Sequence, residues 1–151
     1  MTHPLFRTLE QEHEELKEII DQLENTPTDA VKQKEELFTK LKTELMPHMK
    51  GEEKHFYAIL LDNKSARRQS MEAIEEHHVA EMVLKELDKL DKGEEQWDAK
   101  LKVFKEILEH HIEEEEEELF ETAQDNLDRA QLDKIMAAYS EEKKKIQQKY
   151  V

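Results

Sequence analysis

Residues 101–120 read LKVFKEILEHHIEEEEEELF. Leu101, Phe104 and Leu108 recur every three or four positions, the spacing that lines up side chains on one stripe of an α-helix. The same register runs on through His111 and Glu115 to Leu119, so an ionisable pair stands where core side chains belong. Burying an imidazole and a carboxylate in an apolar stripe costs several kcal/mol per group unless each is neutralised or coordinated. The pair therefore points either to a cation or to partners elsewhere in the core.

Three further stripes behave in the same way. Over residues 5–24 the series Leu9, Leu16, Ile20, Leu23 includes His13. Over 29–61 the series Phe38, Leu41, Leu45, Phe56, Ile59 includes His48 and Glu52, with Pro47 expected to bend or divide the helix beside His48. Over 66–90 the series Ile74, Ala80, Val83, Leu84, Leu87 puts His77 and Glu81 on or near the buried face, and Gly93 is placed to end that helix. With the helix over 94–124, four amphipathic helices and short connections predict an all-α fold, an antiparallel up-down-up-down four-helix bundle spanning 1–124. Residues 125–151 then supply a C-terminal amphipathic helix carrying Leu132, Ile135, Met136 and Tyr139, opened by a capping box of Asp128 and Gln131, and a polar tail. That helix is expected to dock on the bundle or on another subunit.

Composition agrees. The 151 residues include only two Gly and three Pro, and 40% are charged against 36% hydrophobic, which favours long regular helices around one core. Lys and Arg number 23 against 38 Asp and Glu, a net charge of −15 that repels nucleic-acid backbones and anionic lipid. Neither nucleic acid nor membrane is an expected partner, and the start of the chain has no basic flank and apolar run of a signal peptide. A cytoplasmic protein, monomer or homodimer, is the reading. The absence of Cys removes thiolate catalysis and every cysteine-ligated metal site, which leaves the eight His as the inventory for chemistry.

The chain also matches itself. His48 is followed by Glu52 and, nine residues on, by Tyr57; His111 is followed by Glu115 and, nine residues on, by Phe120. Glu12-His13 with Leu23 parallels Glu76-His77 with Leu87. A carboxylate four residues after a His is turned from it by only about 40°, so each pair aims at one region. In an antiparallel bundle the repeat brings four His and two Glu to one depth. Nitrogen and oxygen donors without sulfur suit iron, manganese or zinc, and Glu52 and Glu115 are the natural bridges between two ions.

The stretches LMPHMKGEE (45–53), EEHHV (75–79) and HHIEEEEEELF (110–120) resemble the hemerythrin-like, or HHE cation-binding, family of four-helix di-iron proteins. The resemblance implies a non-haem centre of two iron ions, oxo- or hydroxo-bridged, with His13 and His48 on one, His77 and His111 on the other, and Glu52 and Glu115 between them. Its partner would be a small diatomic or peroxide ligand. Oxygen-carrying members have a fifth His four residues after the first His of the third helix; this chain has Glu81 there, and Glu rather than Asp after His111. That departure argues against reversible oxygen carriage and for sensing, iron handling, or a response to nitric oxide or peroxide. A di-iron enzyme reducing a small oxidant, or a helical interaction module holding zinc or nothing, are the other readings. Glu81 joins His13, His48, Glu52, His77, His111 and Glu115 as a candidate metal ligand; whether it or His55 ligates stays open, as does the inward member of the doublets His77-His78 and His110-His111. Tyr57 and Phe120 read as packing, and of the run Glu113–Glu118 only Glu115 and Glu118 are expected to face inward.

Overall fold

A computed structural model describes residues 2–150. Five helices, with no strand among the described residues, make up the fold. Helix α1 spans Pro4–Glu24; the His3 side chain caps it by accepting the Leu5 N–H at 3.0 Å, and Pro4 supplies a first turn that needs no donor. Helix α2 covers 31–60, α3 is Arg67–Lys89, α4 covers 95–126, and α5 is Arg129–Gln147 with a closing 3-10 turn at Gln148–Tyr150.

Two of these rods are not uniform. Helix α2 is α-helical over Val31–Glu52, makes a turn of π-helix over Glu53–Tyr57, and resumes over Ala58–Leu60. Helix α4 does the same at the matching place, α-helical over Glu95–Glu114, π over Glu115–Leu119, and α-helical over Phe120–Asn126. Pro47 does not divide α2, which runs through it as α-helix. The irregularity falls instead just after Glu52 and at Glu115.

Helix ends depart from expectation for local reasons. Helix α2 starts at Val31 because Thr28 gives its hydroxyl to Asp98 at 2.6 Å rather than capping. Helix α3 stops at Lys89 because Leu90 turns extended (φ −76°, ψ 149°). Gly93 plays no left-handed part in that stop, since no glycine has positive φ. At the other end of the chain the capping box is present as expected, Asp128 accepting from the Gln131 N–H and Gln131 accepting from the Asp128 N–H, each at 2.8 Å.

Helix α1 packs on α2 and α4, α3 on α4, and α5 lies against α2 and α1 of its own bundle. Two apolar clusters fill the interior. One joins Leu16, Leu23, Phe38, Leu41, Leu84, Trp97 and Phe104; the other joins Leu5, Phe6, Phe56, Phe120, Leu132 and Ile135. The first is sealed by Lys34, which is 0% exposed and spends all three N–H groups on Thr28 O (2.8 Å), Lys92 O (2.7 Å) and Asp98 Oδ1 (2.7 Å). Between the two clusters lies the polar layer. No described helix is long and apolar enough to cross a membrane.

Candidate metal centre

His13 from α1, His48 and Glu52 from α2, His77 from α3, and His111 and Glu115 from α4 meet in that layer, none more than 3% exposed. Their donor atoms fall into two groups, His13, His48, Glu52 and Glu115 in one, Glu52, His77 and His111 in the other, with all atoms of a group within 4.8 Å of one another. Glu52 Oε1 stands 3.0 Å from His48 Nε2 and 3.5 Å from His77 Nε2. Glu115 Oε1 stands 3.1 Å from His13 Nε2 and 4.0 Å from His111 Nε2. Each carboxylate thus faces one imidazole from each half of the chain.

The outer ring nitrogens are held by carboxylates. His48 Nδ1 meets Glu12 at 2.8 Å and His111 Nδ1 meets Glu76 at 2.7 Å; His13 Nδ1 meets Glu116 at 2.6 Å and His77 Nδ1 meets Glu53 at 3.0 Å. An acceptor at Nδ1 makes that nitrogen the donor and turns Nε2 inward as a ligand atom. The internal repeat reaches these supports too, Glu12 corresponding to Glu76 and Glu53 to Glu116.

Four buried atoms here have no hydrogen-bond partner: His13 Nε2, both Glu52 carboxylate oxygens and Glu115 Oε1. The approaches of 3.0 and 3.1 Å to the imidazoles are ion-pair distances without hydrogen-bond alignment. Unpaired lone pairs in a dry core are costly, and here they converge on shared points instead of on each other. A pair of cations fits them.

Without a cation, protons hold the cluster together. Burial alone would lower the His48 imidazole, but Glu52 and Glu12 outweigh it and raise it to about 10. Burial is likewise outweighed at His77, which Glu52 and Glu53 raise to about 9, and at His13, raised by Glu115 and Glu116. Glu52, which burial would raise, is held well below the usual carboxylate range by His48 and His77. At Glu12 burial also works upward, yet His48, Lys143 and Tyr139 bring it to about 2.

One residue of the layer was hidden from the sequence pattern. Tyr57, fully buried, donates its hydroxyl to Glu115 and sits 3.3 Å from Nε2 of both His77 and His111. In a regular helix a residue nine after His48 lies about 180° away from it and one five after Glu52 about 140° away. A π turn absorbs roughly one extra residue, which brings Tyr57 to about 40° from Glu52. The matching π turn carries Phe120 inward as well, where it stacks on His13 with ring centroids 6.3 Å apart. It also explains Glu116, which reaches His13, while Glu118, expected inside, stays exposed. At the inward nitrogens His77 and His111 have a phenol beside them, whereas His13 has a hydrocarbon ring.

The remaining candidates fall outside the layer. The Glu81 carboxylate is engaged by Lys50 at 2.9 Å and belongs to neither donor group, and Lys50 also holds it below its ordinary range against the upward pull of burial. His55 meets Glu142 of α5 at 3.2 Å. His78 and His110 point outward, their side chains 53% and 65% exposed, so His77 and His111 are the inward members of the doublets. Tyr139, read from sequence only as a packing residue of α5, donates to Glu12 and lies 3.1 Å from His48 Nδ1, and Lys143 reaches Glu12 at 2.6 Å.

A helical bundle whose core is interrupted by a layer of inward imidazoles and shared carboxylates belongs to the class of cation-binding helical bundles. Residues 5–123 match the family described as hemerythrin HHE cation binding domain, and the chain belongs to that family. In fold it is similar to the crystal structure of a hemerythrin HHE cation binding domain-containing protein from Mycobacterium kansasii, with a TM-score of 0.83 and 21% sequence identity over 99% of this chain and 90% of that one. No curated protein matches the chain in sequence.

Proposed function

We propose that this protein is a non-haem di-iron protein that binds or responds to a small ligand, dioxygen, nitric oxide or peroxide, or that handles iron. The observation that carries the reading is the set of four buried, partnerless donor atoms of His13, Glu52 and Glu115 in one donor group, with Glu52 shared by a second group whose His77 and His111 Nε2 atoms meet at 3.0 Å. His13 and His48 would hold one ion and His77 and His111 the other, with Glu52 and Glu115 serving both; Tyr57 Oη, on giving up its proton, would be a further oxygen donor at the second. Nitrogen and carboxylate donors without sulfur suit iron, and admit manganese or zinc. Two iron ions held there would supply a redox-active pair able to take a small ligand.

The chain's own residues prepare that chemistry. Glu12, Glu53, Glu76 and Glu116 fix the imidazole tautomers and make the rings more basic. Phe6, Phe56 and Phe120 close the layer on one side and keep bulk water out. In the metal-free state Tyr57 holds a proton at Oη, donated to Glu115 and 3.3 Å from Nε2 of both His77 and His111. Glu81 stays with Lys50 and is not assigned to the centre.

Elemental analysis of the protein purified without chelator tests the reading, together with its near-ultraviolet and visible spectrum. Two irons per chain are expected, with both ions lost or reduced to one in His48→Ala and in His111→Ala. Two irons in wild type and unchanged content in both variants would overturn the ligand assignment; no iron after anaerobic reconstitution would overturn the di-iron reading itself.

A further inference from the structure

The centre is buried, so an ion must enter it, and the two sides of the bundle are not alike. Beside His111 a narrow cleft of about 20 Å³, room for about one water, runs between α3 and α4. Its walls are Gln69, Glu72, Glu76, Glu114 and Glu118, and its floor is His111 and Glu115. Glu115 is 2% exposed and has one oxygen, Oε1, without a hydrogen-bond partner; the Gln69 side-chain oxygen in the wall is also buried and unpartnered. Near the rim Glu76, His110 and Glu114 offer three donor atoms within 4.8 Å of one another, apart from the six residues of the centre. Glu76 joins the two places, because its Oε1 meets His111 Nδ1 at 2.7 Å.

The position related by the internal repeat is closed. There Glu12 does for His48 what Glu76 does for His111, but Tyr139 and Lys143 of α5 are seated on Glu12, and the surface hollow outside it carries Arg7 and Lys143. On that side the two cations balance the two carboxylates of the hollow, Glu12 and Glu15. On the cleft side Glu72, Glu76, Glu114 and Glu118 line the wall, and the hollow at its mouth adds Glu75 with Lys64, Arg67 and Arg68, five carboxylates against three cations.

We propose that this acidic cleft is the port through which divalent cations reach the buried centre, with Glu76, His110 and Glu114 as a transient first stop. The inference rests on the metal-binding reading above. A cleft lined by one sign of charge concentrates ions of the other and raises their rate of entry by about 10- to 10³-fold, an effect that salt removes. Carboxylates and one imidazole in a half-open site bind a divalent ion loosely enough to pass it on.

Stopped-flow mixing of the metal-free protein with Fe(II) under anaerobic conditions, or with Co(II) followed by its absorption, reads the rate apart from the final stoichiometry. The triple variant Glu72→Gln/Glu114→Gln/Glu118→Gln should load at least about tenfold more slowly at low ionic strength and still reach the wild-type metal content. A charge-matched control, Glu18→Gln/Glu35→Gln/Glu36→Gln, should load at the wild-type rate. Gln69→Lys, which puts one positive charge in the wall, should slow loading with the carboxylates intact. Wild-type rates in both cleft variants, or equal slowing in the control, would overturn the port while leaving the centre standing; a wild type that takes up no metal would overturn the centre and the port with it.

Discussion

Replacing Gly51 by Ala is a local test of how α5 is seated. In the interior of a helix this exchange ordinarily stabilises by about 1 kcal/mol, since Ala loses less backbone freedom on folding. Here a Cβ at position 51 would lie 2.8 and 2.9 Å from Cε1 and Cδ1 of Tyr139, distances that a side chain cannot hold. Tyr139 is 1% exposed and its hydroxyl is tied to Glu12, so the ring cannot swing clear without releasing that bond. Overpacking of this kind costs about 2–3 kcal/mol, which leaves a net loss of about 1–2 kcal/mol. For a chain of this size that is a fall of about 5 °C in Tm. Urea or thermal unfolding of the metal-free protein measures it, and the same exchange in a Tyr139→Ala background should recover the ordinary gain, a coupling of about 2–3 kcal/mol between the two sites. If Gly51→Ala alone raises stability, the close seating of Tyr139 on α2 is wrong.

Three further outcomes follow from the same geometry. The metal-free protein should be most stable between about pH 4.5 and 6.5: raised His48 and His77 stabilise fully below 6.5 and lose that contribution as pH climbs through about 9 and 10, while lowered Glu12 stabilises above 4.5 and loses it as pH falls through about 2. Chemical unfolding across pH checks this, and a maximum above pH 9 would contradict it; loading metal at pH 7 should release protons, since the bound imidazoles cannot keep them. Tyr57→Phe should leave a buried Glu115 oxygen without its donor and cost about 1–3 kcal/mol in the metal-free state; in the ferric protein it should abolish any visible phenolate-to-iron band, and an unchanged spectrum would remove Tyr57 from the ligand set. Lys34→Met should cost about 2–3 kcal/mol in urea unfolding by orphaning the carbonyls of Thr28 and Lys92, with metal content unchanged.

Much of the layer was legible because the donors obey the apolar register. His13, His48, His77 and His111 replace core residues at helical spacing, and the repeat between halves chose the same depth for each. The five helices follow from the same periodicity and from the Asp128–Gln131 box. What register could not supply was the pair of π turns, since nothing in EKHFY or EEEEL marks an extra residue within a turn. A 100° count sends Tyr57 to the far side, misplaces Glu116 and brings Glu118 in. Glu81 is the opposite case. It lies close to the stripe, and only the position of Lys50 on the neighbouring helix shows where its charge is satisfied. Lys34 offered no signal at all, because its three acceptors come from segments far apart in the chain.

The two π turns make helix length itself a part of the site. Straightening α2 with every residue of Glu53–Tyr57 kept would rotate everything beyond by about 100°. Phe56 and Leu60 would leave the apolar cluster, and Tyr57 would leave the imidazoles it now touches. Deleting one residue between Glu52 and Tyr57 would instead return α2 to an unbroken α-helix with Tyr57 four residues after Glu52 and still about 40° from it, so a relative one residue shorter at this place would keep its phenol on the imidazoles.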